Sequence, residues 1–265
     1  APILGTVEEA DTVLDKLRNE GRQPALIVLA EPQMDGPALE SLLDLADRDG
    51  VADGDSLVFV RCDVTDGDGT AAALAEAATA LGPLHGVFAN AGLVGMVAPV
   101  EELTPAEWRH TLSVNLDGVF HTIRGAVPVM SPEGGSIVAT SSVAGTRTFG
   151  TGGTAAYAAA KAGVVALCQL AAVELGRLGI RVNCIAPGQV PTRFTEGMQA
   201  RGIDRFAHER RAGIPLRDGA TSAEDVADVV AFLLSDAAGK ISGTLLPIDG
   251  AQSLLGGGVM KEPRR

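Results

Sequence analysis

Aromatic residues and cysteines are scarce in this chain of 265 residues. Aromatics make up 3% of it, with a single tryptophan and a single tyrosine. The three cysteines, Cys62, Cys168 and Cys184, form an odd set without metal-type spacing. Cys62 and Cys184 lie in or beside apolar runs, which predicts small core residues in a reducing compartment. The four histidines also show no metal spacing, so we expect no metal site.

Positive charge and long apolar runs are lacking as well. Lysine and arginine total 21 against 33 acidic residues, which gives a formal net charge of -12. An acidic surface repels phosphate backbones and argues against a nucleic-acid partner. No apolar run approaches the ~18 residues of a membrane span, and the N-terminus lacks the pattern of a signal peptide. We therefore expect a cytoplasmic protein that does not bind membranes.

What the chain does contain is an alternation of short apolar runs with helical patterns. The runs cover residues 25–30, 56–62, 86–92, 135–142, 180–188 and 244–250. They are continuously apolar, as expected for strands buried on both faces. The alternation predicts an α/β fold with a doubly wound, Rossmann-like parallel sheet. Because there is no internal repeat, linker or composition break, we expect a single domain over residues 1–265.

Three of the intervening helical patterns carry end signals. Residues 8–21 end in Gly21, a plausible C-cap. The pattern at 104–130 begins with Thr104, Pro105 and Glu107, the signature of a capping box. A third pattern covers 222–236 and starts at Ser222 or Thr221, with acids in its first turn. Polar segments follow the apolar runs: "NAG" at 90–92, "SS" at 141–142 and "APG" at 186–188. Because ligands of such sheets bind at the carboxyl ends of the strands, the site is expected there.

The lone tyrosine, Tyr157, precedes Lys161 by four residues, so on a helix both project from one face. A nearby cation favours the phenolate. Bringing the phenol pKa from about 10 to about 7 requires ~4 kcal/mol, and a close ammonium in a dry cleft can supply much of it. Tyr157 would then exchange a proton near neutral pH. Ser142 could hydrogen-bond the reacting oxygen, and Asn115 could tie a water or a backbone carbonyl beside the lysine.

Taken together and in order, the motifs resemble the short-chain dehydrogenase/reductase family. They are "FANAG" (88–92), "VNLDGVF" (114–120), "VATSSVAG" (138–145), "YAAAK" (157–161) and "RVNCIAPGQVPT" (181–192). The resemblance runs from about residue 25 to residue 250. It implies an NAD(P)(H)-dependent oxidoreductase that interconverts an alcohol and a ketone by hydride transfer.

The resemblance also implies roles for single residues. The catalytic residues are Asn115, Ser142, Tyr157 and Lys161, with Tyr157 as general acid/base and Lys161 lowering its pKa while holding the nicotinamide ribose. Besides Tyr157 and Lys161, the cofactor-binding residues are Asp63, Val64, Asn90, Ala91, Gly92, Pro187, Gly188, Val190 and Thr192. Asp63 contacts the adenine amino group, and residues 90–92 line the adenosine side.

The opening of the chain departs from the family pattern of a glycine-rich turn. Gly5 is the only glycine before Gly21, and Glu8 and Glu9 lie near the expected phosphate position, where carboxylates repel. A modified loop, a segment missing from the sequence and a defunct cofactor site are three explanations. The spacing from Ser142 to Tyr157 is two residues longer than is common in the family.

Glu31 follows the first apolar run, where an acid accepts hydrogen bonds from a ribose 2'-hydroxyl and repels a 2'-phosphate. This favours NAD over NADP, although Glu31 could be a surface acid in a loop. Residues 189–213 are mixed in charge, which is typical of a substrate lid. Apolar walls beside them favour a neutral or hydrophobic alcohol or ketone, while the arginines within that segment could instead meet a carboxylate.

Two other functions stay open at this point. One is a cofactor-independent lyase or isomerase that uses the same Ser-Tyr-Lys group. The other is a non-catalytic subunit that pairs with an intact relative. By the resemblance we expect a homo-oligomer, a tetramer or a dimer, assembled through the helical patterns around 105–130 and 155–178.

Overall fold

The computed structural model of the protein describes residues 25–30, 56–146, 152–190, 214–216 and 221–254. Its strands are β1 (Ala25–Ala30), β2 (Ser56–Arg61), β3 (Gly86–Ala89), β4 (Gly135–Thr140), β5 (Ile180–Pro187) and β6 (Leu245–Ile248). All six predicted strands are confirmed. Several end one to three residues before the predicted boundary, because their polar last residues leave the sheet for the loops at its edge.

Every strand pairing is parallel, as predicted. β1 pairs with β2, with Ala25 opposite Ser56. The other strands form a four-stranded sheet in the order β3-β4-β5-β6. Within the ranges given above, the strands form these two hydrogen-bonded groups. Because parallel strands need crossover connections, helices lie between them and cover the sheet faces.

The helices are α1 (Gly67–Leu81), α2 (Pro105–Leu112), α3 (Gly118–Ala126), α4 (Ala155–Leu175) and α5 (Ala223–Leu234). The capping box predicted at the start of α2 is confirmed: the Thr104 side chain accepts from the Glu107 N–H, and the Glu107 carboxylate accepts from the Thr104 N–H. The helix predicted over 8–21, with its C-cap at Gly21, lies outside the described residues.

The long helical pattern at 104–130 is not one continuous α-helix. A π-helical segment, Ser113–Asp117, separates α2 from α3, and the Gly118 N–H donates to the Ser113 carbonyl. The wider turn holds Asn115, whose side chain is fully buried. Single π-turns of this kind occur frequently at functional sites. The sequence pattern missed the interruption because a single π-turn is too short to show an apolar spacing of its own.

The core has two layers, one on each face of the four-stranded sheet. Ile137 and Ala139 of β4 belong to the layer shared with α3 and α4, whereas Val138 between them packs with Val230 and Leu233 of α5 on the other face. All three β4 side chains have no exposed surface. This explains why the strand is continuously apolar rather than alternating.

Helix α4 corrects the expectation that no segment could match a membrane span. With the turn that follows it, Ala155–Leu178 is long and apolar enough to cross a membrane by length and composition. This is weak evidence, because the core helix of a soluble protein passes the same test. One face of α4 packs into the core through Ala160, Val164 and Cys168. All three cysteines are buried, as the sequence predicts for Cys62 and Cys184.

Candidate active site

The polar segments that follow the strands meet at one edge of the four-stranded sheet. Residues 90–92 follow β3, residues 141–142 follow β4, and Gly188 follows β5. The Thr140 hydroxyl donates to Asn90 Oδ1 at 2.6 Å and so links the ends of β3 and β4. Helix α4 starts above this edge, because the carboxyl ends of parallel strands face the first turns of the following helices.

Tyr157, Ser142 and Lys161 lie together at this edge. The side chains of Ser142 and Tyr157 are hydrogen-bonded to each other. Lys161 Nζ lies 5.8 Å from the centroid of the Tyr157 ring and donates to the Thr140 carbonyl at 2.8 Å. Tyr157 is partly buried, whereas Lys161 is only 3% exposed. The helical spacing of four residues, read from the sequence, thus places the phenol and the ammonium on the same face of α4.

Asn115 holds the loop after β3. Its Nδ2 donates to the Leu93 carbonyl at 2.7 Å and to the Thr111 carbonyl at 2.9 Å, and its Oδ1 accepts from the Leu93 N–H at 3.2 Å. The side chain therefore satisfies both backbone groups of Leu93. This agrees with the expectation that Asn115 ties a backbone carbonyl near the lysine.

Gly92 is the residue that brings Asn115 and Lys161 close together. A Cβ atom at Gly92 would lie 2.8 Å from Asn115 Oδ1 and 3.2 Å from Lys161 Nζ. A contact of 2.8 Å is closer than real Cβ atoms approach. Any side chain at position 92 would therefore displace the amide or the ammonium. The glycine of the "NAG" segment keeps the backbone against the two polar groups that the sequence assigns to catalysis.

The pKa shifts in this site oppose part of the sequence-based expectation. Burial raises the pKa of the Tyr157 phenol, and its hydrogen bond with Ser142 lowers it by less. The net shift of the phenol pKa is therefore upward, opposite to the expected fall, because the phenol loses more hydration than the hydrogen bond with Ser142 returns. Burial also lowers the pKa of Lys161 to about 8. Both groups thus favour their neutral forms more than they would in water.

The remaining predicted cofactor residues are spread along the same edge and beyond it. Asp63 is exposed, and its carboxylate accepts from the Thr65 N–H at 2.9 Å and hydroxyl at 2.7 Å. Val64 is buried, and its carbonyl lies 2.8 Å from His121 Nδ1. Ala91, Pro187 and Val190 are each partly buried. Glu31, Thr192 and residues 191–213 of the predicted lid lie outside the described residues.

Gly188 makes a close contact on the β5 side of the edge. Its N–H donates to the Ile248 carbonyl at 2.9 Å, and a Cβ atom there would lie 2.9 Å from the Cβ of Asp249. Asp249 is 6% exposed and accepts from the N–H groups of Ala251 and Ser253 at 3.0 and 2.8 Å. Gly188 therefore sits directly against the turn after β6.

Two residues at the site escaped the analysis of the sequence. Thr140 holds Asn90 with its hydroxyl and Lys161 with its carbonyl, and the Ser141 hydroxyl donates to the Lys161 carbonyl at 2.8 Å. The available signal was the "TSS" run at the end of an otherwise apolar strand. Only its last serine was assigned a role, because it alone matches the family motif.

A parallel α/β sheet with a hydrogen-bonded Ser-Tyr pair and a buried lysine at its carboxyl edge defines a dinucleotide-fold oxidoreductase as the class of protein. The chain belongs to the short-chain dehydrogenase/reductase family. A family model described as enoyl-(acyl carrier protein) reductase matches residues 22–251.

Three relatives illustrate the similarity. Levodione reductase of Leifsonia aquatica is 42% identical over 177 residues, which is 65% of this chain and 65% of that protein. Trans-4-hydroxycyclohexanecarboxylate dehydrogenase of Sinomonas cyclohexanicum is 37% identical over 231 residues, 86% of this chain and 83% of that one. The crystal structure of carveol dehydrogenase from Mycobacterium avium in complex with NAD has a TM-score of 0.82 and 30% identity, and the match covers 94% of either chain.

The described part of the site fits the nicotinamide dinucleotide that the family implies. Gly92 and Gly188 let the backbone at the ends of β3 and β5 lie directly against protein groups of the site, since a Cβ atom there would meet Asn115 Oδ1 or the Cβ of Asp249 below 3.0 Å. Lys161 presents a buried ammonium with three N–H donors, and one of them is used by the Thr140 carbonyl. A buried ammonium that keeps further N–H donors besides the one given to Thr140 suits the hydroxyls of a ribose.

Proposed function

We propose that this protein interconverts a secondary alcohol and a ketone by hydride transfer, with Tyr157 as the general acid/base. The observation that carries the proposal is the hydrogen bond between Ser142 and Tyr157, with the Lys161 ammonium 5.8 Å from the ring of the same tyrosine. This group stands at the strand edge where dinucleotide-fold proteins bind their ligands.

The proposed role of each site residue follows from the group that it would contact. The Ser142 hydroxyl and the Tyr157 phenol would both hydrogen-bond the substrate oxygen, and the proton would pass between that oxygen and Tyr157 Oη. Lys161, still largely charged below its pKa of about 8, would stabilise the phenolate that forms. Asn115 would keep the Leu93 backbone in place beside the lysine.

The nicotinamide ring, when bound, accepts the hydride from the alcohol or donates it to the ketone. Lys161 would hold its ribose, Asn90, Ala91 and Gly92 would line the adenosine side, and Pro187, Gly188 and Thr192 would face the nicotinamide end. Asp63 would meet the adenine amino group. NAD is the proposed form, supported by the NAD complex of carveol dehydrogenase and by the acid at Glu31, which follows β1.

The proposed substrate is an alicyclic secondary alcohol or its ketone. The relatives named above support this, because their names describe ring-bearing alcohols or ketones. The segment after β3 adds apolar surface near the site, with Met96 49% exposed. A ring of this kind offers one polar oxygen for Ser142 and Tyr157 and an otherwise apolar body for such a wall.

The proposal is tested by binding and turnover with the purified chain. NAD should raise the thermal unfolding midpoint more than NADP at equal concentration, because only bound ligand stabilises the folded state. Cyclohexanol should then be oxidised with formation of NADH. If neither dinucleotide shifts the midpoint at any concentration, the dehydrogenase function is excluded and the cofactor-independent alternative gains support.

We further propose that the chain forms homo-oligomers through the exposed faces of α3 and α4. A groove between these helices is lined by apolar side chains and flanked by opposite charges: Phe120, Ile123, Arg124, Val127, Leu167, Leu170, Ala171, Glu174 and Leu175. Phe120 is 47% and Leu170 65% exposed, and Val173 beside them is 79% exposed. About a two-fold axis, Arg124 of one copy would face Glu174 of the other, which makes a second copy the fitting occupant.

A charge placed in this groove should dissociate the oligomer. Leu170→Glu is expected to lower the sedimentation coefficient to that of a monomer, because a buried unpaired carboxylate is costly in an interface. Val100→Glu is the matched control, since Val100 is 70% exposed but lies in the turn before α2. Equal sedimentation of Leu170→Glu and the unmodified protein would rule out this interface.

A further inference from the structure

We propose that Ser141 is a positioning residue: its buried hydroxyl fixes the main chain of Lys161 and thereby the place of the lysine ammonium in the site. The catalytic meaning of this role rests on the function proposed above, but the mechanical role does not. Ser141 is distinct from Ser142, which faces Tyr157.

Two consecutive residues at the end of β4 hold the two ends of the lysine. Ser141 Oγ donates to the Lys161 carbonyl at 2.8 Å, and the Thr140 carbonyl accepts from Lys161 Nζ at 2.8 Å. Ser141 is 1% and Lys161 3% exposed, so neither bond competes with water. The ammonium and the backbone carbonyl of Lys161 are therefore both hydrogen-bonded to residues 140–141 at the end of β4.

Helix α4 does not need the serine for its own stability. A carbonyl inside an α-helix already accepts from the N–H four residues on, so the hydroxyl adds a second donor. The helix around Lys161 consists of alanines and a glycine, "AAAKAG" over residues 158–163. Such small side chains interlock little with the layer below. A directional hydrogen bond is then what fixes the rotation and depth of the helix at this point.

The serine itself is firmly anchored. Its N–H donates to the Ile185 carbonyl of β5 at 2.8 Å, and the preceding Thr140 is joined to Asn90 after β3. On the far side, a Cβ atom at Gly145 would lie 2.5 Å from the Lys161 carbonyl carbon. The peptide of Lys161 is thus enclosed between the end of β4 and the loop that follows it.

The neighbours of the Lys161 ammonium explain why its position is important for the site. The Tyr157 ring is a titratable neighbour of the ammonium, with 5.8 Å from ring centroid to Nζ. Gly92 and Asn115 also approach it, and both are neutral. The thiol of Cys168, about two turns further along α4, is hydrogen-bonded to the thiol of Cys184 on β5. Because Tyr157 and Lys161 both lie on α4, a shift of the helix would move the phenol and the ammonium together, away from Ser142 and Thr140 at the end of β4.

Ser141→Ala tests the inference, and Ser136→Ala is a closely matched control. Ser136 lies within β4, the strand that Ser141 follows, is also 1% exposed, and its hydroxyl donates to a helix carbonyl, that of Leu233 in α5, at the same 2.8 Å. Each alanine variant loses one buried hydrogen bond to a helix, so both should lower the unfolding midpoint by about 2–4 °C. Only Ser141 is tied to Lys161.

Two readouts separate positioning from simple loss of stability. Ser141→Ala is expected to raise the Kd for NAD about five- to tenfold and to shift the alkaline limb of the pH profile, whereas Ser136→Ala leaves both unchanged. The second readout needs no dinucleotide. Because Lys161 titrates near pH 8, the unfolding midpoint should change with pH above about 8. We expect this pH dependence to differ from that of the unmodified protein in Ser141→Ala and to be the same in Ser136→Ala.

The second readout keeps this inference separate from the proposed function. If the unmodified protein binds no dinucleotide, the proposed function fails, and the pH dependence of unfolding still decides the role of Ser141. Equal behaviour of the two alanine variants in that measurement overturns the inference. So does an unchanged Kd and pH profile in Ser141→Ala when the unmodified protein binds NAD.

Discussion

Tyr157→Phe is expected to reduce turnover by about 100-fold to 10,000-fold, the range typical of a lost general acid/base. The substitution keeps the ring and its packing on α4 and removes only the hydroxyl that is bonded to Ser142. The Lys161 ammonium and its bond to Thr140 are untouched. The measurements are the kcat for alcohol oxidation and the Kd for NAD, and only the first should change substantially.

The same variant allows a direct test of the pKa direction. Because Tyr157 is the only tyrosine in the chain, phenolate absorbance in the near ultraviolet reports that residue alone, and Tyr157→Phe serves as the blank. Burial raises the pKa of this phenol, so the folded protein should show less phenolate at about pH 10 than the unfolded protein does. The unfolded state then loses its proton first, so this contribution to stability declines as pH rises through that range.

Retained turnover in Tyr157→Phe would remove Tyr157 from the mechanism. A loss of turnover accompanied by an equal loss of NAD binding would point instead to a purely structural role in the cofactor site. The two measurements must therefore be made on the same preparation.

Lys161→Met is expected to change the pH dependence of stability by about 3 kcal/mol, the free energy that corresponds to lowering the lysine pKa from 10.5 to about 8. Below about pH 8 the folded state carries the full cost of a buried ammonium. Between about 8 and 10.5 the unfolded state binds more protons than the folded state, so the free energy of unfolding rises with pH. Methionine has no such titration, because its side chain is neutral throughout.

The measurement is denaturant unfolding of both proteins from about pH 7 to pH 10. The free energy of unfolding of the natural protein should rise relative to that of Lys161→Met across this interval. At any single pH, part of the difference in the free energy of unfolding comes from the Thr140 carbonyl, which loses its hydrogen-bond partner in the variant. Because that part does not vary with pH, the change of the difference with pH reports the titration of Lys161. Parallel pH curves for the two proteins would show that Lys161 keeps an ordinary pKa. Turnover should also be lost in the variant.

The strand pattern could be predicted because it depends on burial alone. β4 is apolar at three consecutive positions, Ile137 to Ala139, since two layers of helices cover it. By contrast, the break between α2 and α3 could not be predicted. A π-turn adds one residue to a helix without changing which side chains are apolar, so the pattern around Asn115 reads as one helix.

The candidate site shows the same division. Ser142, Tyr157 and Lys161 were recognisable from their order and spacing, and the structure brings them together. The partners of Lys161 were not recognisable, because Ser141 is 20 residues away from it in the chain and the bond depends on how α4 lies across the end of β4. Nothing in the sequence around Lys161 signals this contact.

By itself, the sequence determined the α/β class, the strands and the grouping of Ser142, Tyr157 and Lys161, because these follow from local apolar patterning and from side-chain types at fixed spacings. Only the tertiary structure decided how deeply Tyr157 and Lys161 are buried, and hence the direction in which each pKa moves. It also decided that Thr140 joins Asn90 across 50 residues of chain. Desolvation and hydrogen bonding between distant residues depend on distances in space, which the order of residues along the chain does not specify.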